Sequence, residues 1–266
     1  MNTHSTPSKP PGADGTIGKA VAVLDMVAQA DGPMRFGQML AQSDHPKATL
    51  YRLVQTLTNL GMLHYDEARQ TYAPGLHLVQ LAHAAWRQSS LAPVARPHID
   101  TLASAVKETV HLAQMDAGQV IYVDKRNAAD PIEMFSQAGK VGPGYCTGVG
   151  KAIMAFMEPQ AQSQAIARQA FLRHTDTTLT SSRVLRAELD QIAQIGVAFD
   201  KEEHEPGIIC IAAPIRTSAG HVIGALSVTT STARKSLDDL ALLAPDLKHT
   251  AKNIAQAAET WQFPRG

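Results

Sequence analysis

The chain has 266 residues, 44% hydrophobic and 18% charged, with 24 basic residues against 24 acidic ones. That length suggests about two domains, and that composition suggests packed cores rather than a disordered chain. No apolar run approaches the ~20 residues that span a bilayer, and zero net charge removes the basic signature of a nucleic-acid binder. Residues 1–14 carry Ser, Thr, Pro and Gly without an apolar stretch. They read as a disordered tail ending near residue 16, not a secretory signal. Cys146 and Cys210 are the two cysteines, so a cytoplasmic location with both as free thiols is the simpler expectation.

In residues 17–27, Ala20, Val23, Leu24 and Val27 recur at helical spacing, and Asp31-Gly32-Pro33 marks the stop. A short helix is predicted over residues 36–42, then a turn at Ser43-Asp44-His45-Pro46. A third helix follows from Lys47 to Leu60, since Leu50, Leu53, Val54, Leu57 and Leu60 form one apolar stripe. Gly61 caps it. Residues 62–72 read as a hairpin turning at residues 66–70. Three helices and a hairpin make a winged helix-turn-helix, assigned to residues 17–75. Residues 76–92 form a linker helix, with Leu78, Leu81, Ala82 and Ala85 on one face.

Pro93 and Pro97 mark the entry to a second domain, residues 93–266. A helix is predicted over residues 99–105. Strands follow at residues 110–115 and 119–123, joined at Asp116-Ala117-Gly118, with a third at residues 131–136. Helices are predicted at residues 148–157, 161–169 and 184–195, and strands at residues 196–199, 208–215 and 222–230. A single closing helix takes residues 238–259. Strands in hairpin-like pairs flanked by helices give an α+β class. There are no internal repeats.

A helix fits the major groove, and its first turns meet the base edges. With Leu50, Leu53, Val54 and Leu57 facing the core, Ala48, Arg52, Gln55 and Asn59 lie opposite, flanked by Lys47, Thr49 and Tyr51. Arg52 suits guanine and Gln55 adenine. Lys47 and Thr49 at the helix start suit phosphates, and Arg69 at the hairpin tip suits the backbone or the minor groove. An ordinary amphipathic helix would show the same polar face; what distinguishes this one is the full order of elements. Within residues 17–75, Lys19, Arg35, Lys47, Arg52 and Arg69 are balanced by Asp25, Asp31, Asp44, Asp66 and Glu67. DNA binding therefore rests on where charges sit and on a dimer doubling the contacts.

The run from Lys47-Ala48-Thr49-Leu50-Tyr51-Arg52 to Leu57, then Leu60-Gly61-Met62-Leu63 and Tyr72-Ala73-Pro74-Gly75, resembles the IclR family of transcription regulators. Three later segments are also similar to that family: Cys146-Thr147-Gly148-Val149-Gly150-Lys151-Ala152, the stretch from Gly196-Val197-Ala198-Phe199-Asp200 to Ala213-Pro214, and Ala225-Leu226-Ser227-Val228-Thr229. The resemblance covers about residues 17–257. It implies a GAF-like α/β effector-binding domain after the winged helix. It also implies a homo-oligomer (a dimer or a dimer of dimers) on palindromic double-stranded operator DNA. Regulation of carbon catabolism, most commonly repression, would respond to a small organic acid or aromatic compound. Lys19 and Ala48 depart from the arginine and serine common in the family.

The resemblance places Gly148, Val149, Gly150, Asp200, Cys210, Ser227 and Thr229 in the effector pocket. The residue types suit a small carboxylate. Amides of Gly148 and Gly150 open a helix, where the dipole favours an anion. Ser227 and Thr229 are alternate strand residues that share a face and can donate hydroxyl hydrogen bonds. Asp200 suits a ligand hydroxyl or a bound water. Each also has a plainer reading: a backbone-satisfied hydroxyl, a core cysteine, a turn-capping aspartate. Tyr145 and Cys146 are weaker candidates, expected to face the core. The stretch 139–148 leans toward a sugar acid.

Other signals fail. Gly150-Lys151 lacks the first glycine and the hydroxyl residue of a phosphate-binding loop. No Gly-x-Ser-x-Gly elbow appears. The histidines show no ligand spacing; His204 among Glu202, Glu203 and Glu205 reads as a charged exposed loop, although the resemblance leaves a metal open there. No metal and no cofactor are expected. The alternatives are a small-acid-processing enzyme with Cys146 or Cys210 as nucleophile, and a nucleotide-sensing module relaying to a protein partner.

Overall fold

The computed structural model describes residues 15–89 and 91–260; the tail predicted at the N-terminus lies mostly outside them. The chain divides into two compact units, one ending at Ala85 and one beginning at Trp86.

The first unit contains α1 (Thr16–Gln29), α2 (Phe36–Gln42), α3 (Lys47–Asn59), β1 (Leu63–Asp66) and β2 (Thr71–Pro74). Helix α4 (Leu76–Ser89) begins in it. Its core joins Val23 and Val27 of α1, Met39 of α2, Leu50, Leu53, Val54 and Leu57 of α3, and Leu63 and Tyr72 of the wing. Leu60, expected in that stripe, is exposed instead. Helix α3 ends at Asn59, so Leu60 falls at the cap, and Gly61 with φ +70° turns the chain away. Strands β1 and β2 pair antiparallel from Leu63↔Pro74 to Asp66↔Thr71. Asp66 Oδ1 accepts the amides of Ala68 and Arg69 and sets the turn. Met34 adds a bridge to Tyr72 on the wing's other edge.

The second unit runs α5 (Ala92–Val106), β3 (Thr109–Asp116), β4 (Gln119–Arg126), β5 (Val141–Pro143), α6 (Gly148–Met154), α7 (Pro159–Ala167) and α8 (Ser182–Ile195). It continues with β6 (Ala198–Lys201), β7 (Ile208–Arg216), β8 (Val222–Ser231), α9 (Leu237–Ala241) and α10 (Ala244–Thr260). The strands form one antiparallel sheet in the order β5-β4-β3-β8-β7-β6. One face packs Val110, Leu112, Ile209, Ile211, Leu226 and Val228 against Ile99 of α5 and Leu247 and Ile254 of α10. The other packs Ala113, Ala198, Ala212 and Ala225 against Val149 and Ile153 of α6, Ile166 of α7 and Leu189 of α8. Small residues on that second face let α6 approach closely.

Three elements differ from expectation. The third strand is Val141–Pro143, not residues 131–136, because only the later stretch ladders with β4. Helix α5 begins at Ala92: Pro93 sits in its first turn, where no intrahelical amide is needed, and Pro97 is accommodated inside. The closing helix is two, broken after α9; Pro245 opens the first turn of α10.

Candidate functional site

The site forms on the sheet face beneath α6. Strand registry places Asp200, Cys210, Thr229 and Thr109 side by side across β6, β7, β8 and β3. The next rung outward in β3 and β8 pairs His111 with Ser227. Because side chains alternate, both rungs present one face. A cavity with ≈ 390 Å³ of empty space, counting its open mouth, is walled by His111, Tyr122, Ser136, Thr147, Gly148, Val149, Asp200, His204, Glu205, Ile208, Cys210, Ser227 and Thr229.

Helix α6 is held by its cap. The Thr147 hydroxyl donates to the Pro143 carbonyl at 2.8 Å and accepts the Gly150 amide at 3.3 Å. A Cβ on Gly148 would stand 2.4 Å from Cys210 Sγ, and one on Gly150 would stand 2.3 Å from the Gly144 carbonyl oxygen. At Gly150 the neighbour is backbone, so glycine is required there; at Gly148 a Cβ would force the Cys210 side chain to shift. Of the three residues expected to bind at this helix start, Gly148 and Val149 line the cavity and Gly150 does not. Its amide, expected to face a ligand, is taken by Thr147.

The cavity floor is a hydrogen-bonded row. Ser136 Oγ lies 2.9 Å from His111 Nε2, and His111 Nδ1 lies 3.2 Å from Thr229 Oγ1. Thr229 Oγ1 lies 3.5 Å from Ser227 Oγ. Burial, then the nearby Lys125 charge, pushes His111 down to about 3, so the ring is neutral. Asp200 is pushed up to about 7, first by burial and next by Glu203. Its Oδ1 accepts the Glu203 amide at 2.8 Å. Behind it, Lys151 is fully buried and ion-paired with Glu203 and with Glu188 at 3.2 Å. Glu203, read from sequence as part of an exposed charged loop, is therefore a buried partner. Among the described residues its Oε2 has no hydrogen-bond partner.

Asp200, Cys210, Ser227 and Thr229 all reach this one cavity; Tyr145 and Cys146 are buried in the core and do not line it. Sequence reasoning missed His111, Tyr122, Ser136, Thr147 and Ile208, and set His204 and Glu205 aside. His111 was discoverable: it alternates with Ala113 and so shares the cavity face. Ser136 was not, because it lies in an irregular segment. Burial, then the Asp200 charge, raises both thiols, Cys146 to about 12. Neither thiol is the thiolate that nucleophilic attack requires. Among the described residues no group of three or more His, Cys, Asp or Glu is placed to hold a metal. Among them, too, no helix is long and apolar enough to cross a membrane.

In the first unit, Lys47 and Arg52 of α3 are exposed on the face opposite the core, with Thr49 half-buried. Tyr51 is exposed and meets the Phe36 ring edge-on at 5.8 Å. Gln55 is half-buried, close to the Tyr72 side chain of the wing. Arg69 stands at the wing turn, 78% exposed and 3.9 Å from Asp66.

A winged helix in one unit and, in the other, a helix-flanked sheet with a small polar cavity define a transcription regulator with a separate effector-binding unit. Residues 16–67 match the IclR helix-turn-helix domain, and residues 83–256 match the C-terminal domain of bacterial IclR transcriptional regulators. The chain belongs to the IclR family. It is 30% identical over 218 residues to the HTH-type transcriptional regulator KdgR of Escherichia coli (strain K12), covering 82% of this chain and 83% of that one. It is 24% identical over 251 residues to the HTH-type transcriptional repressor AllR of Klebsiella pneumoniae, covering 94% and 92%. The crystal structure of Thermotoga maritima IclR aligns with a TM-score of 0.73 at 26% identity, covering 91% of this chain and 97% of that one. The chain is a DNA-binding regulator and not an enzyme: its relatives are named as regulators, and the thiols on which the enzyme alternative depended are buried and protonated.

Proposed function

We propose that this protein is a cytoplasmic repressor of a catabolic operon, released from its operator by a small hydroxylated organic acid of the sugar-acid type. The observation that supports this reading is the cavity lining. Ser136, Thr147, Ser227 and Thr229 supply hydroxyls, His111 a neutral imidazole, and Asp200 a carboxyl poised near neutrality. Such a surface matches a ligand with several hydroxyls and one carboxylate, because each polar group finds a partner that is lost with an apolar ligand. Gly148, Val149, Asp200, Cys210, Ser227 and Thr229 are the contacts, with Gly150 acting through helix packing. On DNA, Arg52 and Gln55 read bases, while Lys47, Thr49, Tyr51 and Arg69 hold the backbone. A homo-oligomer, dimer or dimer of dimers, supplies two half-sites of a palindrome. The domain limits follow: DNA-binding unit 17–75, linker 76–92, effector and assembly unit 93–266.

The test is a melting-temperature screen against sugar acids, keto acids, hydroxy acids and aromatic acids, repeated on Ser227→Ala. A ligand at ~100 times its Kd stabilises the folded unit by ~2.7 kcal/mol. A sugar acid should raise the melting point of the native chain and leave Ser227→Ala nearly unmoved. Stabilisation by aromatic acids alone, or equal stabilisation of both proteins, would overturn the assignment.

A further inference from the structure

One wall of the cavity is neither helix nor strand. Between β4 and β5 the chain runs as an irregular segment, residues 127–140, which brings Ser136 into the cavity wall. Its two ends are fixed. Ala128 donates its amide to Thr109 Oγ1 at 3.3 Å, and the Asp130 carbonyl accepts from Arg234 at 2.8 Å. At the other end the Gly139 amide donates to the Tyr122 carbonyl at 2.7 Å.

The middle is held by side chains from other elements. The Phe135 amide donates to both carboxylate oxygens of Glu205, at 3.0 and 3.1 Å. The Ser136 carbonyl accepts from Lys125 Nζ at 2.8 Å, and the Ser136 hydroxyl meets His111 Nε2. The Phe135 ring packs edge-on to His204 at 5.1 Å. Met134 and Ser136 are thereby buried. A backbone segment without its own ladder takes its position from these ties, and each tie comes from a residue in or next to the cavity wall.

We propose that residues 131–137 form a strap across the effector cavity, held shut by Glu205 and His111 as positioning residues, so that Ser136 completes the binding surface. The inference rests on reading the cavity as the effector site, but the latch itself can be tested without any effector. Glu205 puts a carboxylate on the strap backbone, and such charge-assisted bonds are stronger than neutral ones. Cys210 lies in the same cavity wall as Ser136, so a loosened strap should leave it more accessible to a small reagent.

The experiment is labelling of the full chain with N-ethylmaleimide, followed by mass spectrometry of each cysteine. Cys146, buried in the core and not in the cavity lining, reports general loosening. In Glu205→Ala, Cys210 should label about tenfold faster or more, with Cys146 unchanged. Ser136→Ala, which cuts the His111 tie, should add to this. Glu205→Gln keeps an acceptor for the Phe135 amide and should restore most of the native rate. An unchanged Cys210 rate in Glu205→Ala overturns the latch, and so does acceleration of Cys146 in step with Cys210. If the latch behaves as expected while the acid screen finds no ligand, the strap stands and the effector reading falls.

Discussion

His111 shows how one residue carries both fold and site. Its ring is buried between Ser136 and Thr229 and stays neutral because burial and Lys125 oppose its charge. The unfolded chain gains a proton below the ordinary histidine value of 6.5, while the folded one does not until about 3. The folded pKa is depressed, so this contribution is intact above pH 6.5 and is lost as pH falls through that value toward 3. At pH 5 the loss amounts to about 2 kcal/mol. Asp200 works in the opposite sense: its raised pKa favours the folded state as pH falls below about 7. The His111 share is therefore visible only as a difference. Between pH 7.5 and pH 5, His111→Asn should lose about 2 kcal/mol less of its unfolding free energy than the native chain. Urea unfolding at both pH values measures it, and parallel losses in the two proteins would refute a neutral buried ring.

At the scale of elements, the close seat of α6 on β7 and on the preceding loop depends on two glycines. Gly148 faces a sulfur, which can shift; Gly150 faces the carbonyl and Cα of Gly144, which cannot. Gly150→Ala should therefore cost more than the 1–3 kcal/mol typical of overpacking and lower the melting point of the second unit by several degrees. A melting curve within a degree of native would show that the 144–150 turn is softer than this packing implies. The same elements show what sequence makes legible. Helices α1 to α3, the wing and five of the six strands of the second unit follow from apolar period and turn residues, since burial on one face dictates both. The pocket residues at 200, 210, 227 and 229 follow from strand alternation and family resemblance together. What stayed hidden had no period to show. The strap at 131–137 is placed by long-range side-chain ties, the buried Lys151–Glu203 pair joins residues far apart in sequence, and Leu60 lost its partner by falling one residue past a helix end. Pro245, in the first turn of α10, was a legible sign of the break that the single closing helix left unused.

At the scale of the whole molecule, the two hydrophobic cores of the second unit are built, among the described residues, from Trp86 onward. A fragment of residues 76–266, which keeps α4 entire, should fold alone. It should bind the effector as tightly as the full chain does without DNA, and show no operator binding. Regulation then cannot lie in the cavity alone. A ligand shifts an equilibrium only by its differential affinity for the two states, and coupling between effector and operator is reciprocal. If the effector weakens operator binding by a given factor, commonly about 5–150-fold, the operator must weaken effector binding to the full chain by that same factor. The fragment must show no such effect when operator DNA is added. Titration calorimetry of full chain and fragment, each with and without operator, measures all four affinities. A full chain whose effector affinity ignores the operator would mean that the cavity ligand does not regulate DNA binding, however tightly it is held.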